Sequence, residues 1–193
     1  MRALLFSGGI DSTVIAAWKA PDVLVTIDYG QRSAPGEIRA AAAIAKLLKT
    51  RHDILRVDCH SLGAGHLAGR PPSSLASAPE WWPYRNQLLI TLCGMRYVTE
   101  ELAEIMIGTV AGDEVHSDGR PEFLRAMNAL MGLQEGAIRV SAPASHKMIE
   151  DLIAEVPSSL GLLAWTFSCH VGEYSCGQCR GCTKHKEVMA RYL

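Results

Sequence analysis

Four of the six cysteines fall between residues 169 and 182, spaced Cys169-x6-Cys176-x2-Cys179-x2-Cys182. Thiolates are soft ligands, and four at such spacing, with Gly177 and Gly181 for the tight turns, suit tetrahedral Zn²⁺ in a closed, structural site. An iron–sulfur cluster is the competing reading, because CxxCxxC also serves ferredoxins, but no Cys-Pro follows here. His170 and His185 are spare ligands beside a set already complete. Cys59 and Cys93, in strand-end and helix contexts, read as ordinary buried cysteines.

The second group able to do chemistry is Ser7-Gly8-Gly9-Ile10-Asp11-Ser12. Glycines let backbone approach phosphate oxygens, and a helix N-terminus supplies unpaired N–H groups and a favourable dipole. The two serines add hydroxyl donors. Neither GxxxxGK[ST] nor GxGxxG is present, which excludes a Walker loop and a dinucleotide fingerprint. Asp11 repels phosphate unless it holds Mg²⁺ or faces away, so its presence points to metal-assisted chemistry. The competing reading is a plain helix cap of Ser, Asp and Gly.

The elements around these groups have an α/β order. An apolar strand at 3–6 leads into the small-residue loop, followed by a helix over 13–19 that ends before Pro21. Residues 23–28 form an apolar, β-branched run without polar alternation, which suits a central strand covered on both faces. A helix over 37–48, a strand at 53–57, a helix over 84–102, a strand at 104–108 and helices over 121–133 and 146–155 complete the pattern. This order implies a doubly wound parallel sheet of Rossmann-like type. Residues 60–79, rich in Gly, Ser, Ala and Pro, read as a long surface loop or an active-site lid. Residues 1–193 are expected to form one domain, with residues 166–193 as a C-terminal zinc-binding segment and helix.

Composition narrows the function classes. A chain of 193 residues with 48% hydrophobic residues can bury a substantial core. The net charge is −1, so no long-range basic field favours nucleic-acid or membrane binding. The N-terminal apolar run is too short for a signal-peptide core, and no stretch approaches the roughly 20 apolar residues of a membrane helix. The expectation is a cytoplasmic protein, where clustered thiols bind metal more often than they form disulfides.

The loop resembles the SGGxDS loop of the N-type ATP pyrophosphatases, and further segments resemble the QueC family within that superfamily. Asp28-Tyr29-Gly30-Gln31-Arg32 is similar to the family's DYGQR, and Trp82-Pro83-Tyr84-Arg85-Asn86 to its VPGRN, with Tyr84 in place of glycine. Residues 108–123, GTVAGDEVHSDGRPEF, resemble the loop ending in YPDCRPEF, with Gly119 for Cys and Ser117 for Pro. Thr166-Phe167-Ser168-Cys169 resembles a TWSC run before a four-cysteine zinc site, whose first spacing is one residue longer in the family. The resemblance runs from Leu4 to Cys182.

It implies that Ser7, Gly8, Gly9, Ile10, Asp11, Ser12, Asp28, Gln31 and Arg32 meet ATP and Mg²⁺, with Ser7, Asp11, Ser12 and Lys147 acting in catalysis. Lys147, expected to open the penultimate helix, would steady phosphates. Arg85, Asn86, Asp113, Asp118 and Arg120 would receive a deazaguanine substrate, since an Asp pairs with a guanidine-like base edge and an Arg with a carboxylate. Zn²⁺ would sit on Cys169, Cys176, Cys179 and Cys182. The implied chemistry is adenylylation of 7-carboxy-7-deazaguanine, displacement of AMP by ammonia, and dehydration of the amide to a nitrile, in a homodimer without stable nucleic-acid binding. Ser33 in place of a histidine and the altered substrate loop also fit a QueC-like paralogue of antiviral, CBASS-type operons, activating a deazapurine for a protein or nucleic-acid acceptor. A catalytically silent zinc-containing binding module is a third reading, and predicts no effect of Ser12→Ala or Asp11→Ala.

Overall fold

A computed structural model describes residues 1–112 and 115–192. Its centre is a five-stranded, all-parallel sheet built from β1 (Arg2–Leu5), β2 (Val23–Asp28), β3 (Arg51–Arg56), β4 (Glu104–Met106) and β5 (Arg139–Ser141), in the order β3-β2-β1-β4-β5. The chain winds outward from β1 in one direction and then in the other, so strand order reverses between β1 and β4. In such sheets the crevice outside the carboxyl ends of those strands is the ligand seat.

Alternation along the strands divides the core into two layers. Leu4, Phe6, Leu24 and Met106 face α1 (Ile10–Lys19), α2 (Ala34–Leu48), α5 (Ile149–Glu155), α6 (Leu160–Leu163) and α7 (Arg180–Tyr192). Ala3, Val23, Val25, Ile27, Ile105 and Ile107 face α3 (Arg85–Tyr97) and α4 (Pro121–Gly132). Both faces of the central strands are covered, which is why β2 reads as an unbroken apolar run.

Several helices begin elsewhere than the sequence suggests, for local reasons. Helix α1 opens at Ile10, so Ile10, Asp11 and Ser12 form its first turn instead of a preceding loop. Helix α2 opens at Ala34, with Pro35 in the first turn, where a missing N–H costs nothing. Helix α3 stops at Tyr97, and a 3-10 turn at Val98–Glu100 leads to Glu101 in a left-handed conformation at φ 56°. The expectation that Lys147 opens a helix is corrected. Residues 143–146 form turns, and α5 begins at Ile149.

The 60–79 segment is tied down. It contains 3-10 turns at His60–Leu62 and His66–Ala68, and Leu67 and Ala68 pack with Trp82 in the second core layer. The Arg70 guanidinium donates to the Gly63 carbonyl at 2.6 Å, and the His66 N–H donates to the Pro79 carbonyl at 2.9 Å. Trp82 is buried and meets Tyr29 edge-on at 4.8 Å between ring centroids, so it is the core member of the tryptophan pair.

On the outer strand β3, Asp53 accepts from Arg51 at 2.6 Å and from the Tyr97 hydroxyl at 2.8 Å. Burial opposes ionisation of Asp53, but these donors outweigh it and hold the carboxyl below its usual range. A carboxyl whose folded pKa is depressed stabilises the fold above its unfolded value, about 3.9. That contribution, less than ~1 kcal/mol for so exposed a pair, is lost as pH falls through the lower folded value. Urea midpoints followed from pH 6 down to 3 are expected to fall more steeply for the native chain than for Asp53→Asn.

Candidate functional site

A cleft of ≈ 450 Å³ opens outside the carboxyl ends of β1 and β4, the position the sheet topology singles out. Its size lies within the usual range for a small-molecule site, about 300–1,000 Å³. One wall is the small-residue loop after β1. The Gly9 N–H donates to Ser7 Oγ at 3.3 Å, Ser12 Oγ donates to the Gly9 carbonyl at 3.2 Å, and the two serine hydroxyls lie 3.5 Å apart. The first turn of α1 leaves N–H groups without intrahelical partners at this wall, which suits an anion. Gly8 is required on two counts. Its φ is +72°, and a Cβ there would stand 2.7 Å from the Ala41 nitrogen, so α2 could not pack so closely on the loop.

The C-terminal segment forms the opposite wall and also holds the loop. The Phe167 N–H donates to the Gly8 carbonyl at 2.9 Å, and Lys184 Nζ donates to Asp11 Oδ2 at 3.0 Å. The four cysteine Sγ atoms lie within 4.8 Å of one another, with Cys176 and Cys182 at 3.9 Å. A tetrahedral ion with bonds of about 2.3 Å needs sulfurs about 3.8 Å apart, so this set fits a metal such as zinc. The N–H groups of Gln178 and Cys179 draw the Cys176 thiol down to about 6, whereas burial pushes Cys182 up to about 12. A dication removes that second penalty by binding the thiolate. Gly181 is also required, because a Cβ there would stand 1.9 Å from the Ser168 carbonyl oxygen.

The far end of the cleft is rich in ionisable groups. The Asn86 N–H donates to Asp118 Oδ2 at 3.0 Å, and Asn86 Nδ2 donates to the Asp118 carbonyl at 2.8 Å, joining the start of α3 to the loop after β4. Arg85 faces the cleft, and among the described residues no hydrogen bond or ion pair engages its guanidinium. Burial pushes Glu37 up, although Ser33 Oγ at 2.6 Å, Gln31 Nε2 at 3.1 Å and the Arg85 charge all favour its carboxylate. Burial likewise lowers His116 and takes His170 down to about 4, with Arg85 adding to both. Burial opposes ionisation of Glu80, but its own backbone N–H, His170 and Arg180 at 3.0 Å together hold it below its usual range. Glu80 comes from the 60–84 segment, Arg180 from α7 and His116 from the loop after β4, so three distant stretches meet at one carboxylate.

The structure gathers Ser7, Gly9, Ile10, Asp11, Ser12, Arg85, Asn86 and Asp118 around the cleft, with Gly8 behind the loop. It places other expected residues off the cleft lining. Asp28 Oδ1 accepts from the Gly30 N–H at 3.1 Å, and Gln31 is buried, bridging the Ile27 carbonyl, the Tyr29 N–H and Glu37. Arg32 is exposed over Gly69, and Tyr29 is the member of that run that reaches the cleft. Arg120 is an exposed residue at the start of α4. Lys147 pairs with Glu155 at 2.7 Å, and its ammonium lies 5.9 Å from the centre of the Trp18 ring. Asp113 lies outside the described residues.

Sequence reasoning missed Glu37, Glu80, His116, Arg180 and Lys184, all of which line the cleft. For Arg180 and Lys184 a signal existed: they are four residues apart on the helix that follows the cysteines, hence on one face. Nothing in the chain order announces Glu80. Among the described residues no helix is long and apolar enough to cross a membrane.

The family model described as queuosine biosynthesis protein QueC matches residues 2–193. The 7-cyano-7-deazaguanine synthase 1 of Desulfitobacterium hafniense strain Y51 is 31% identical over 199 residues, covering 96% of this chain and 90% of that protein. The 7-cyano-7-deazaguanine synthase of Methanothermobacter thermautotrophicus is 31% identical over 211 residues, covering 97% of this chain and 94% of its own. That of Erythrobacter litoralis is 30% identical over 210 residues, covering 97% and 87%.

Proposed function

Because the chain belongs to the QueC family, we propose that its cleft makes 7-cyano-7-deazaguanine, the product in its relatives' names, and that it does so from 7-carboxy-7-deazaguanine, ATP and ammonia. The observation that carries this is the pairing, across one cleft, of a small-residue loop at a helix N-terminus with the guanidinium of Arg85, which no hydrogen bond or ion pair engages among the described residues. The first suits phosphates, the second a carboxylate.

A carboxylate oxygen of the substrate attacks the α-phosphorus of ATP. The bond from that phosphorus to the bridging oxygen breaks, and pyrophosphate leaves with the electron pair. Ammonia then displaces AMP from the acyl-adenylate, losing a proton and leaving the amide. The amide oxygen attacks the α-phosphorus of a second ATP and expels pyrophosphate, and the adenylated amide loses AMP and protons to give the nitrile. The chain supplies no covalent nucleophile in this scheme. The N–H groups of Gly9 and the first turn of α1, with the Ser7 and Ser12 hydroxyls, hold phosphate oxygens, and Asp11 would hold Mg²⁺, which adds charge neutralisation when bound.

Arg85 orients the carboxylate, and Asp118, fixed by Asn86, accepts N–H groups of the base. The four cysteines would hold Zn²⁺ in a structural role, since no coordination position is left open. The test is product analysis by mass spectrometry with MgATP, ammonium and 7-carboxy-7-deazaguanine. The nitrile with two AMP per product is expected; a reaction that ends at the amide, or no substrate-dependent AMP, overturns the assignment.

A further inference from the structure

The phosphate loop carries no lysine of its own, in contrast to loops of the GxxxxGK[ST] type. Its only ionisable residue is Asp11, whose sign is wrong for a triphosphate. A cation reaches it from 173 residues downstream, where Lys184 Nζ lies 3.0 Å from Asp11 Oδ2. One contact to the loop and two within the C-terminal segment fix that part of the chain. Cys182 anchors α7 two residues before Lys184. The Phe167 N–H binds the Gly8 carbonyl at 2.9 Å, and the next residue, Ser168, places its Oγ 3.2 Å from His185 Nδ1, beside Lys184. Arg180, Gly181, Lys184 and His185 all line the cleft, so the first turns of α7 are themselves a wall of it. Lys147, by contrast, is held by Glu155 outside the lining.

We propose that Lys184 is the phosphate-binding cation of this site, resting on Asp11 in the free protein and turning to the pyrophosphate when nucleotide occupies the loop. This rests on the nucleotide reading above and adds a residue to it. The Lys184 side chain is 42% exposed and on a flexible stem, so its pair with Asp11 is weakly held and easily exchanged for a more highly charged partner. An ammonium is a compact point charge suited to a phosphate cluster that reorganises during reaction. As the bond between the α-phosphorus and the bridging oxygen breaks, negative charge grows on the departing pyrophosphate, and the Lys184 N–H groups donate to those oxygens. The metal knot thereby does more than stabilise the fold, because it sets the register of the helix that delivers this charge.

The test is calorimetric binding of inorganic pyrophosphate, MgATP and AMP to the full-length, zinc-loaded chain, with zinc content measured alongside. Lys184→Ala is expected to weaken pyrophosphate and MgATP about tenfold or more while AMP affinity and zinc content stay unchanged. Lys184→Arg is expected to restore most of the lost affinity. Native pyrophosphate binding in Lys184→Ala, no rescue by arginine, or a parallel loss of AMP affinity or zinc would each make Lys184 structural and overturn the proposal. The assay needs no deazaguanine, so a chain that binds MgATP and pyrophosphate through Lys184 but makes no nitrile refutes the substrate reading alone. A native chain that binds neither refutes both.

Discussion

Cys182→Ser is expected to abolish metal binding by the four-cysteine set and to loosen the wall of the cleft with it. Cys182 is buried at the start of α7, its Sγ 3.9 Å from that of Cys176, and the contacts of Lys184 and Arg180 to Asp11 and Glu80 all depend on that helix. A serine oxygen is a poor soft ligand, and the three remaining cysteines would be crowded together without a dication to neutralise their thiolates. Metal content measured by mass spectrometry is expected to fall from one ion per chain to a small fraction. The melting midpoint is expected to drop by about 10 °C or more for the loss of a few kcal/mol in a chain of this size. ATP affinity falls in parallel, which a metal serving stability alone, away from the cleft, would not cause. A variant that lost its metal and still bound ATP normally would show that the knot and the nucleotide wall are independent.

Arg85→Ala is expected to remove the proposed substrate's partner and leave the proposed nucleotide site intact. Arg85 stands at the start of α3, where its charge opposes the helix dipole, and its guanidinium faces the cleft without a described hydrogen-bond partner. A cation so placed is ready for an anionic ligand. Two charge-assisted hydrogen bonds to a carboxylate, each about 1.5 kcal/mol at the low end, correspond to about 10²-fold in kcat/KM for the carboxylate substrate. Steady-state kinetics with each substrate varied in turn are expected to show that loss for the deazaguanine and a change under threefold in ATP affinity. Arg85→Lys should recover only part of it, because a single ammonium cannot reproduce a planar fork. Equal losses for both substrates would place Arg85 on the phosphates instead.

The order of strands and helices was open to sequence reading because β1, β2 and β4 are apolar runs next to strong turn residues, and because one doubly wound sheet satisfies that order. Strand β5 escaped it: Arg139–Ser141 is a three-residue edge strand with only Val140 buried, too short to show a period. Helix starts were misplaced by about a turn where Pro35 and the residues of the phosphate loop belong to the helix they were thought to precede. At the site, the cysteines and the loop were legible because their chemistry lies in local spacing. Glu80 was not, since its meaning comes from Arg180 and His116, both far along the chain. Lys147 and Lys184 illustrate the same limit. Both are plausible cations by position, and only the packing of α7 against the loop decides which one reaches Asp11.

The most direct test of carboxylate activation follows oxygen atoms. With 7-carboxy-7-deazaguanine labelled with ¹⁸O in both carboxyl oxygens, MgATP and ammonium, attack on the α-phosphorus places one label in the AMP of the first activation and the remaining one in the AMP of the second. Mass spectrometry is expected to find one ¹⁸O in each AMP and none in pyrophosphate or orthophosphate. Label in orthophosphate, or AMP released without label, would mean that the carboxylate never attacked the α-phosphorus, and would contradict the account at its centre.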